Sequence, residues 1–304
     1  MRFVPILALL AAGAACADTA PPPVTAPVTV FAAGDIADCR YSRPAYSGAA
    51  STAALIAARL PAAPGAIVLT LGDTTYPDGL PAEYRDCYAP TWGALRERTR
   101  PTPGNHEYYS GSADAYFDYF GAAAGLRGPG YYSFEAGSWH VVSLNSQLAP
   151  AEHARQLAWL REDLARHPAR CTLAYWHVPL YSSGGHPPAQ NLHMRDAWQV
   201  LLAAGAELVL SGHDHDYERF APMDADGRPD ARGMRQFVVG TGGAFLTPFR
   251  IGARGGEFRQ GTDHGVLRLV LRDGGYDWEF LPVPRAWSEY AAPPVDDRGS
   301  AACH

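Results

Sequence analysis

The ten residues Ile67-Val68-Leu69-Thr70-Leu71-Gly72-Asp73-Thr74-Thr75-Tyr76 decide how the rest of the chain is read. The apolar run from Ile67 to Leu71 predicts a buried strand, which Gly72 breaks so that an acid, Asp73, stands at its C-terminal end. Three positions later Tyr76 brings a phenol to the same place. Taken alone, Gly-Asp after a strand is ordinary turn chemistry. In open α/β sheets, however, ligands gather beyond the carboxyl ends of the strands, and a carboxylate aimed there can bridge two metal ions.

The same grammar recurs along the chain. The strand expected at Val28–Ala33 ends in Gly34-Asp35, and Arg100 to Pro103 runs through a rigid Pro/Gly turn into Gly104-Asn105-His106-Glu107. Residues 171–176 read as a strand ending at His177, and 207–210 as one running into Ser211-Gly212-His213-Asp214-His215. Asp35, Asp73, Asn105, His177, His213 and His215 are carboxylate, amide and imidazole donors of the kind that hold hard or borderline metals. No thiolate is among them. One such motif arises cheaply by chance; five, each after an apolar run, do not.

Between these points the chain alternates strands and helices. A helix is expected near 52–60, stopped by Pro61 and Pro64, which makes the opening a βαβ unit with an acid on each strand end. Residues 81–95 read as partly helical, and 131–135 with 139–144 as a hairpin around Gly137. Pro150 opens an amphipathic helix with Leu157, Leu160 and Leu164 inward and Arg155, Arg161, Glu162 and Arg166 outward. A further helix at 194–204 ends at Gly205. Strands are expected at 235–239, 265–271 and 276–281, and from Pro282 onward a tail packed on the surface. No internal repeat is evident.

With 304 residues, 47% of them hydrophobic, the chain can bury one large core. A formal net charge of -6 offers no basic field for a nucleic-acid backbone and argues against nucleic-acid binding. Residues 1–17 carry one Arg, an apolar run and then Ala15-Cys16-Ala17, the pattern of a secretory signal, which points to a secreted or periplasmic protein. Cys16 also admits a lipid anchor, although Gly13 stands where that signal usually has Leu. Residues 18–27 form a Pro-rich linker, and no later stretch is long and apolar enough to cross a membrane. Cys39, Cys87, Cys171 and Cys303 remain, an even number without a Cys-x-x-Cys pair, so disulfides are expected in place of metal thiolates. Of three possible connectivities, one pairing Cys39 with Cys87 would staple two loops beside the strand ends.

In order and type the five motifs resemble the metallophosphoesterase, or calcineurin-like phosphoesterase, superfamily over residues 28–284, with Gly104-Asn105-His106-Glu107 as the most specific match. Most members carry Asp-x-His first, where this chain has Asp35-Ile36-Ala37; Tyr76 supplies the missing donor. That exchange, with His213-Asp214-His215-Asp216-Tyr217-Glu218-Arg219, resembles the purple acid phosphatase branch. That branch usually has Gly at the place of Ala37, and Asp214 and Asp216 add charge to the last motif. The resemblance implies an α/β sandwich of two mixed central sheets flanked by helices, with residues 285–304 a C-terminal tail. It also implies two metal ions, one on Asp35, Asp73, Tyr76 and His215, the other on Asp73, Asn105, His177 and His213. A phenolate suits Fe(III) in the first position, with Zn, Mn or Fe(II) in the second.

On this reading a hydroxide held by the metals attacks phosphorus directly, and His106, which is no ligand, donates a proton to the leaving oxygen or steadies the phosphoryl charge. No Ser, Cys or Asp nucleophile stands beside a base to form a covalent intermediate. The implied partner is a small phosphorylated substrate, with His186 and Tyr181 as candidate pocket residues in the loop after His177. Arg219 reads as a buttress of the last motif, and His140, His153, His167, His193, His264 and His304 match no motif and read as solvated or structural. The expected activity is an acid-phosphatase-like phosphomonoesterase. A phosphodiesterase or nucleotidase is the alternative within the class, and a metal-dependent binding protein on a phosphatase scaffold the alternative outside it.

Overall fold

A computed structural model describes residue 1 and residues 25–186, 192–250, 252–284 and 295–304. The signal expected at 1–17 with Cys16, most of the linker at 18–27, and part of the loop after His186 lie outside the described residues. Among the described residues no helix is long and apolar enough to cross a membrane.

Two mixed sheets face each other. The first runs in the order β13-β12-β11-β1-β2-β3, built from Arg298–Ala302, Gly275–Pro282, Gly265–Arg272, Val28–Ala33, Ile67–Leu71 and Thr99–Thr102. In it β1, β2 and β3 are parallel, while β11, β12 and β13 extend the sheet antiparallel. The second runs β10-β8-β9-β7-β6-β5-β4, from Gly256–Gln260, Tyr217–Phe220, Arg235–Val239, Leu208–Ser211, Cys171–Tyr175, Trp139–Ser143 and Tyr132–Ala136. Its centre, β5-β6-β7-β9, is parallel.

Strand periodicity sorts the core. Val141, Leu173, Tyr175, Leu208, Leu210, Phe237 and Val239 of the second sheet share one apolar cluster with Phe31, Val68, Leu69, Leu267 and Leu269 of the first. The intervening Val142, Ala174, Val209 and Val238 face the other way, into a cluster with Leu157, Leu160, Trp198 and Leu201. Both faces of these strands are buried, which is why they read as continuous apolar runs. The covering helices are Pro150–Arg166 and Arg195–Ala203; Gly48–Ala57 packs against β11 of the first sheet. Ser47 caps that last helix by accepting the Ala50 N–H, so it starts earlier than the sequence pattern suggests.

Several elements differ from expectation, among them the strand β8 at Tyr217–Phe220 and the short helices His106–Tyr109 and Asp114–Phe120. Arg298–Ala302, read as part of a surface tail, is instead a strand on the edge of the first sheet, paired residue by residue with β12. Its polar, glycine-containing sequence gives no strand signal; pairing and covalent pinning hold it. Gly256–Gln260 pairs with β8 across a bulge and was equally silent in sequence. The cysteines form Cys39–Cys87 and Cys171–Cys303, and the second pair fastens the chain end to β6. Arg219 donates to Asp297 at 3.0 Å, which ties β8 to the same C-terminal segment.

Candidate metal centre

Every one of the five motifs lies just past the C-terminal end of a parallel strand. Asp35, Asp73 and Asn105 follow β1, β2 and β3; His177 and His213 follow β6 and β7. Because the two sheets face each other with these ends together, residues from both meet at one place. Asp35, Asp73 and His213 adopt left-handed backbone with φ of 60°, 47° and 72°, a conformation that non-glycine residues hold only where surroundings enforce it. Gly104 permits the closest approach, since a Cβ there would collide with the Asp73 carboxylate.

The donor atoms fall into two groups that share one carboxylate. The Tyr76 hydroxyl lies 2.9 Å from Asp35 Oδ1, 3.1 Å from His215 Nε2 and 3.3 Å from Asp73 Oδ2. His215 Nε2 is 3.3 Å from Asp35 Oδ1. On the other side, His177 Nε2 lies 3.2 Å from Asp73 Oδ2, 3.0 Å from Asn105 Oδ1 and 3.2 Å from His213 Nδ1. Asp73, His177 and His213 are all buried.

Neighbouring carbonyls fix which ring nitrogens are free. A carbonyl oxygen only accepts, so Leu71 O, 2.8 Å from His177 Nδ1, and Phe245 O, 2.6 Å from His215 Nδ1, each require a proton on Nδ1 and turn Nε2 inward. Burial alone would raise the Asp73 carboxyl, but the His177 and His106 imidazoles outweigh it and hold Asp73 well below the usual carboxylate range. Burial acts to lower His177, yet Asp73 prevails and brings it up to about 9. For His213, burial and then the neighbouring His177 and His186 push it down to about 3. Burial, with Asp35 and Asp73 next, lifts the Tyr76 phenol well above 10. Among the described residues no Arg or Lys bonds to Asp35 or Asp73, so these buried carboxylates rely on imidazole protons for compensation. Hard oxygen donors and inward imidazole nitrogens around two buried anions fit a pair of cations.

His106 borders a cleft of about 430 Å³ together with Asp73, Asn105, Tyr109, Gln147, Val178, His186, His193, His213 and His215. Its Nδ1 faces Pro77 O and therefore carries the proton, leaving Nε2 toward the cleft, 3.8 Å from Asp73 Oδ2. His186 stacks on His213 with ring centroids 3.9 Å apart and gives both its backbone N–H and its Nδ1 to Asp214. Tyr181 is not among the described residues that line this cleft. Its ring packs edge-on against Trp198, and its hydroxyl donates to Asp224 O at 3.4 Å.

Sequence reasoning missed several contributors. Glu107 is buried and accepts the N–H groups of Asp73, Thr74 and Gly104 with the Thr74 hydroxyl, so it holds the loop that presents Asp73. It stood in a recognised motif without a role. His193 was read as solvated or structural but lines the cleft, and Gln147 carried no signal at all. Both come from segments with no motif of their own.

The two-sheet fold and this set of strand-end donors define a metal-dependent phosphoesterase architecture. The family model for calcineurin-like phosphoesterase matches residues 17–217, and the chain belongs to that family. Among curated proteins it is 30% identical to purple acid phosphatase 21 of Arabidopsis thaliana over 217 residues, 62% of this chain and 49% of that protein. It is 27% identical to purple acid phosphatase 18 of the same plant over 240 residues, 73% of this chain and 51% of that protein. The chain thus spans about half the length of the curated relatives it matches. A purple acid phosphatase from yellow lupin seeds shares the fold with a TM-score of 0.70 at 18% identity, over 91% of this chain and 54% of that one. So does GAP50, described as the anchor in the inner membrane complex of Plasmodium, with a TM-score of 0.67 at 14% identity, over 91% and 89%.

Proposed function

We propose that the chain is a purple acid phosphatase-like hydrolase of phosphoric esters. One cation is held by Asp35, Asp73, Tyr76 and His215, the other by Asp73, Asn105, His177 and His213. The observation that carries this reading is Asp73 Oδ2, which sits 3.3 Å from the Tyr76 hydroxyl and 3.2 Å from His177 Nε2 and so belongs to both donor groups. When bound, the pair supplies Lewis acidity, neutralising phosphoryl charge and lowering the pKa of water. The phenol of Tyr76 favours Fe(III) in the first position, with Zn, Mn or Fe(II) in the second.

The chain's own residues then position and protonate. His177 and His215 are locked by the carbonyls on their Nδ1 atoms, so neither ring turns away as substrate enters. His106 Nε2 faces the cleft and, with the ring as an imidazolium that keeps its Nδ1 proton on Pro77 O, is placed to give its Nε2 proton to the leaving oxygen. His186, held by Asp214, and Gln147 line the wall where the ester's organic part would rest. Direct attack by water fits a cleft with no Ser or Cys among the described residues that line it. The presence of an oriented proton donor favours catalysis over a binding protein on this scaffold. Two disulfides and the secretory pattern of residues 1–17 support a secreted or periplasmic location, and 28–284 is the catalytic domain in this reading.

The test is a panel of phosphomonoesters, diesters and nucleotides offered to the metal-loaded protein. Monoester turnover that disappears in Asn105→Ala is expected. Turnover confined to diesters or nucleotides moves the reading to the neighbouring activity, and none with any ester at full metal loading overturns it.

A further inference from the structure

Outside the cleft, the second sheet carries another convergence of donors. His140 lies in β5 directly opposite Glu135 of β4 in the ladder, and its Nδ1 is 2.8 Å from Glu135 Oε1. Its Nε2 is 2.9 Å from Oδ2 of Asp163, which projects from the helix Pro150–Arg166. Asp163 Oδ1 lies 3.2 Å from Nδ1 of His167, just past the end of that helix, and accepts the Ser133 hydroxyl at 2.9 Å. One donor atom each from His140, Asp163 and His167 can be chosen so that all lie within 4.8 Å of one another.

We propose that His140 Nε2, the Asp163 carboxylate and His167 Nδ1 bind a zinc ion, with Glu135 orienting His140 and water completing the coordination. A neutral imidazole has one N–H, yet both nitrogens of His140 face carboxylates. Both nitrogens are therefore satisfied only when the ring bears a second positive centre, either a proton that makes it imidazolium or a metal ion on Nε2. His140 is 1% exposed and the Asp163 side chain 4%, so solvent does not supply that cation freely. Two imidazoles and one carboxylate are a zinc donor set, and tetrahedral bonds of about 2.0–2.2 Å place ligand atoms about 3.3 Å apart, near the 2.9 and 3.2 Å that separate His140 and His167 from the two Asp163 oxygens. A carboxylate on the far nitrogen of a ligating His is the arrangement that fixes its tautomer and raises its basicity.

Access comes from His167. Its side chain is 46% exposed, and it borders an open groove of about 700 Å³ with Pro168, Thr172 and Gln199. The rings of His140 and His167 are nearly parallel, at 17° with centroids 5.0 Å apart. His167 Nδ1 also lies 3.0 Å from the Asp163 backbone oxygen and carries the proton that this bond requires. His140 is clamped, so binding turns the exposed His167 ring away from that carbonyl and releases its Nδ1 proton to solvent. The site joins the hairpin β4–β5 to its covering helix, which makes its role structural.

The test adds zinc chloride to the full chain and to His167→Ala, removes excess by gel filtration, and measures retained zinc and the melting temperature. The wild type is expected to keep one more zinc per chain than His167→Ala, to gain a larger zinc-dependent rise in melting temperature, and to match the variant in ester turnover. His167→Cys, which restores a zinc donor, should recover the retained ion. Equal zinc counts and equal melting shifts in wild type and His167→Ala would mean that the cluster holds only a proton. The comparison depends on the difference between the two proteins, so it stands whatever the cleft binds.

Discussion

Tyr76 and His106 stand 4.3 Å apart, ring centroid to ring centroid, yet the account gives them opposite signatures. If the Tyr76 phenolate binds Fe(III), the iron-loaded protein has a visible charge-transfer band, and Tyr76→Phe abolishes it while keeping the ring and its packing. His106→Ala keeps colour and metals and slows turnover by roughly 10² to 10⁴, the usual weight of one positioned acid or base. Spectra and steady-state rates of the two variants check both statements; a colourless iron-loaded wild type would remove the phenolate from the centre. Glu107 predicts a third behaviour. Glu107→Ala leaves several buried N–H groups unpaired, so stability falls by about 3–5 kcal/mol in denaturant titration, with metal lost as the Asp73 loop relaxes. The seven proposed donors were legible because strand-then-acid or strand-then-imidazole survives as local pattern. The roles of Glu107, Gln147 and His193 were not, since each depends on which distant segment folds against it.

The edge strand Arg298–Ala302 shows what local pattern cannot carry. Its residues have low strand propensity, and its place comes from β12 alongside it, from Asp297 bonded to Tyr217 and Arg219, and from the Cys171–Cys303 bridge. That bridge spans a sequence separation of 132, so Cys303→Ser is expected to cost about 2–5 kcal/mol in denaturant unfolding while leaving ester turnover in place. By contrast β1, β2 and β9 were readable to the residue, because each carries a mainly apolar, β-branched stretch bounded by turn signals. The β4–β5 hairpin and its covering helix predict a pH dependence in chelator-treated protein. Burial works to lower His140, but hydrogen bonds to Asp163 and Glu135 overcome it, so its folded pKa is raised. A raised folded pKa stabilises fully below the unfolded value of about 6.5, and the contribution fades as pH rises through the folded value. His140→Gln should flatten that fall in unfolding free energy; an unchanged slope would mean that His140 stays neutral.

At the scale of the whole molecule, the centre is also a cross-link. Asp35, Asp73 and Asn105 hang from the first sheet and His177, His213 and His215 from the second, so bound cations join two layers that apolar packing, the Cys171–Cys303 bridge and polar bonds also hold. Ligand binding to the folded state alone stabilises it, so chelation should lower the melting temperature of the wild type and change that of His213→Ala far less. The sandwich architecture was legible through the resemblance of the strand-end motifs to the metallophosphoesterase superfamily, not from strand order alone. The joining of both sheets by the segment Asp297–Cys303 was not, because sheet partners are set by three-dimensional neighbours.

The shared role of Asp73 is tested most directly by counting metal and turnover together in Asp73→Ala, made in the His167→Ala background so that zinc elsewhere does not enter the sum. Both cleft metals and ester hydrolysis are expected to be lost together with this one carboxylate, while circular dichroism shows a folded chain. Retention of two metals per chain and of turnover in Asp73→Ala would contradict it.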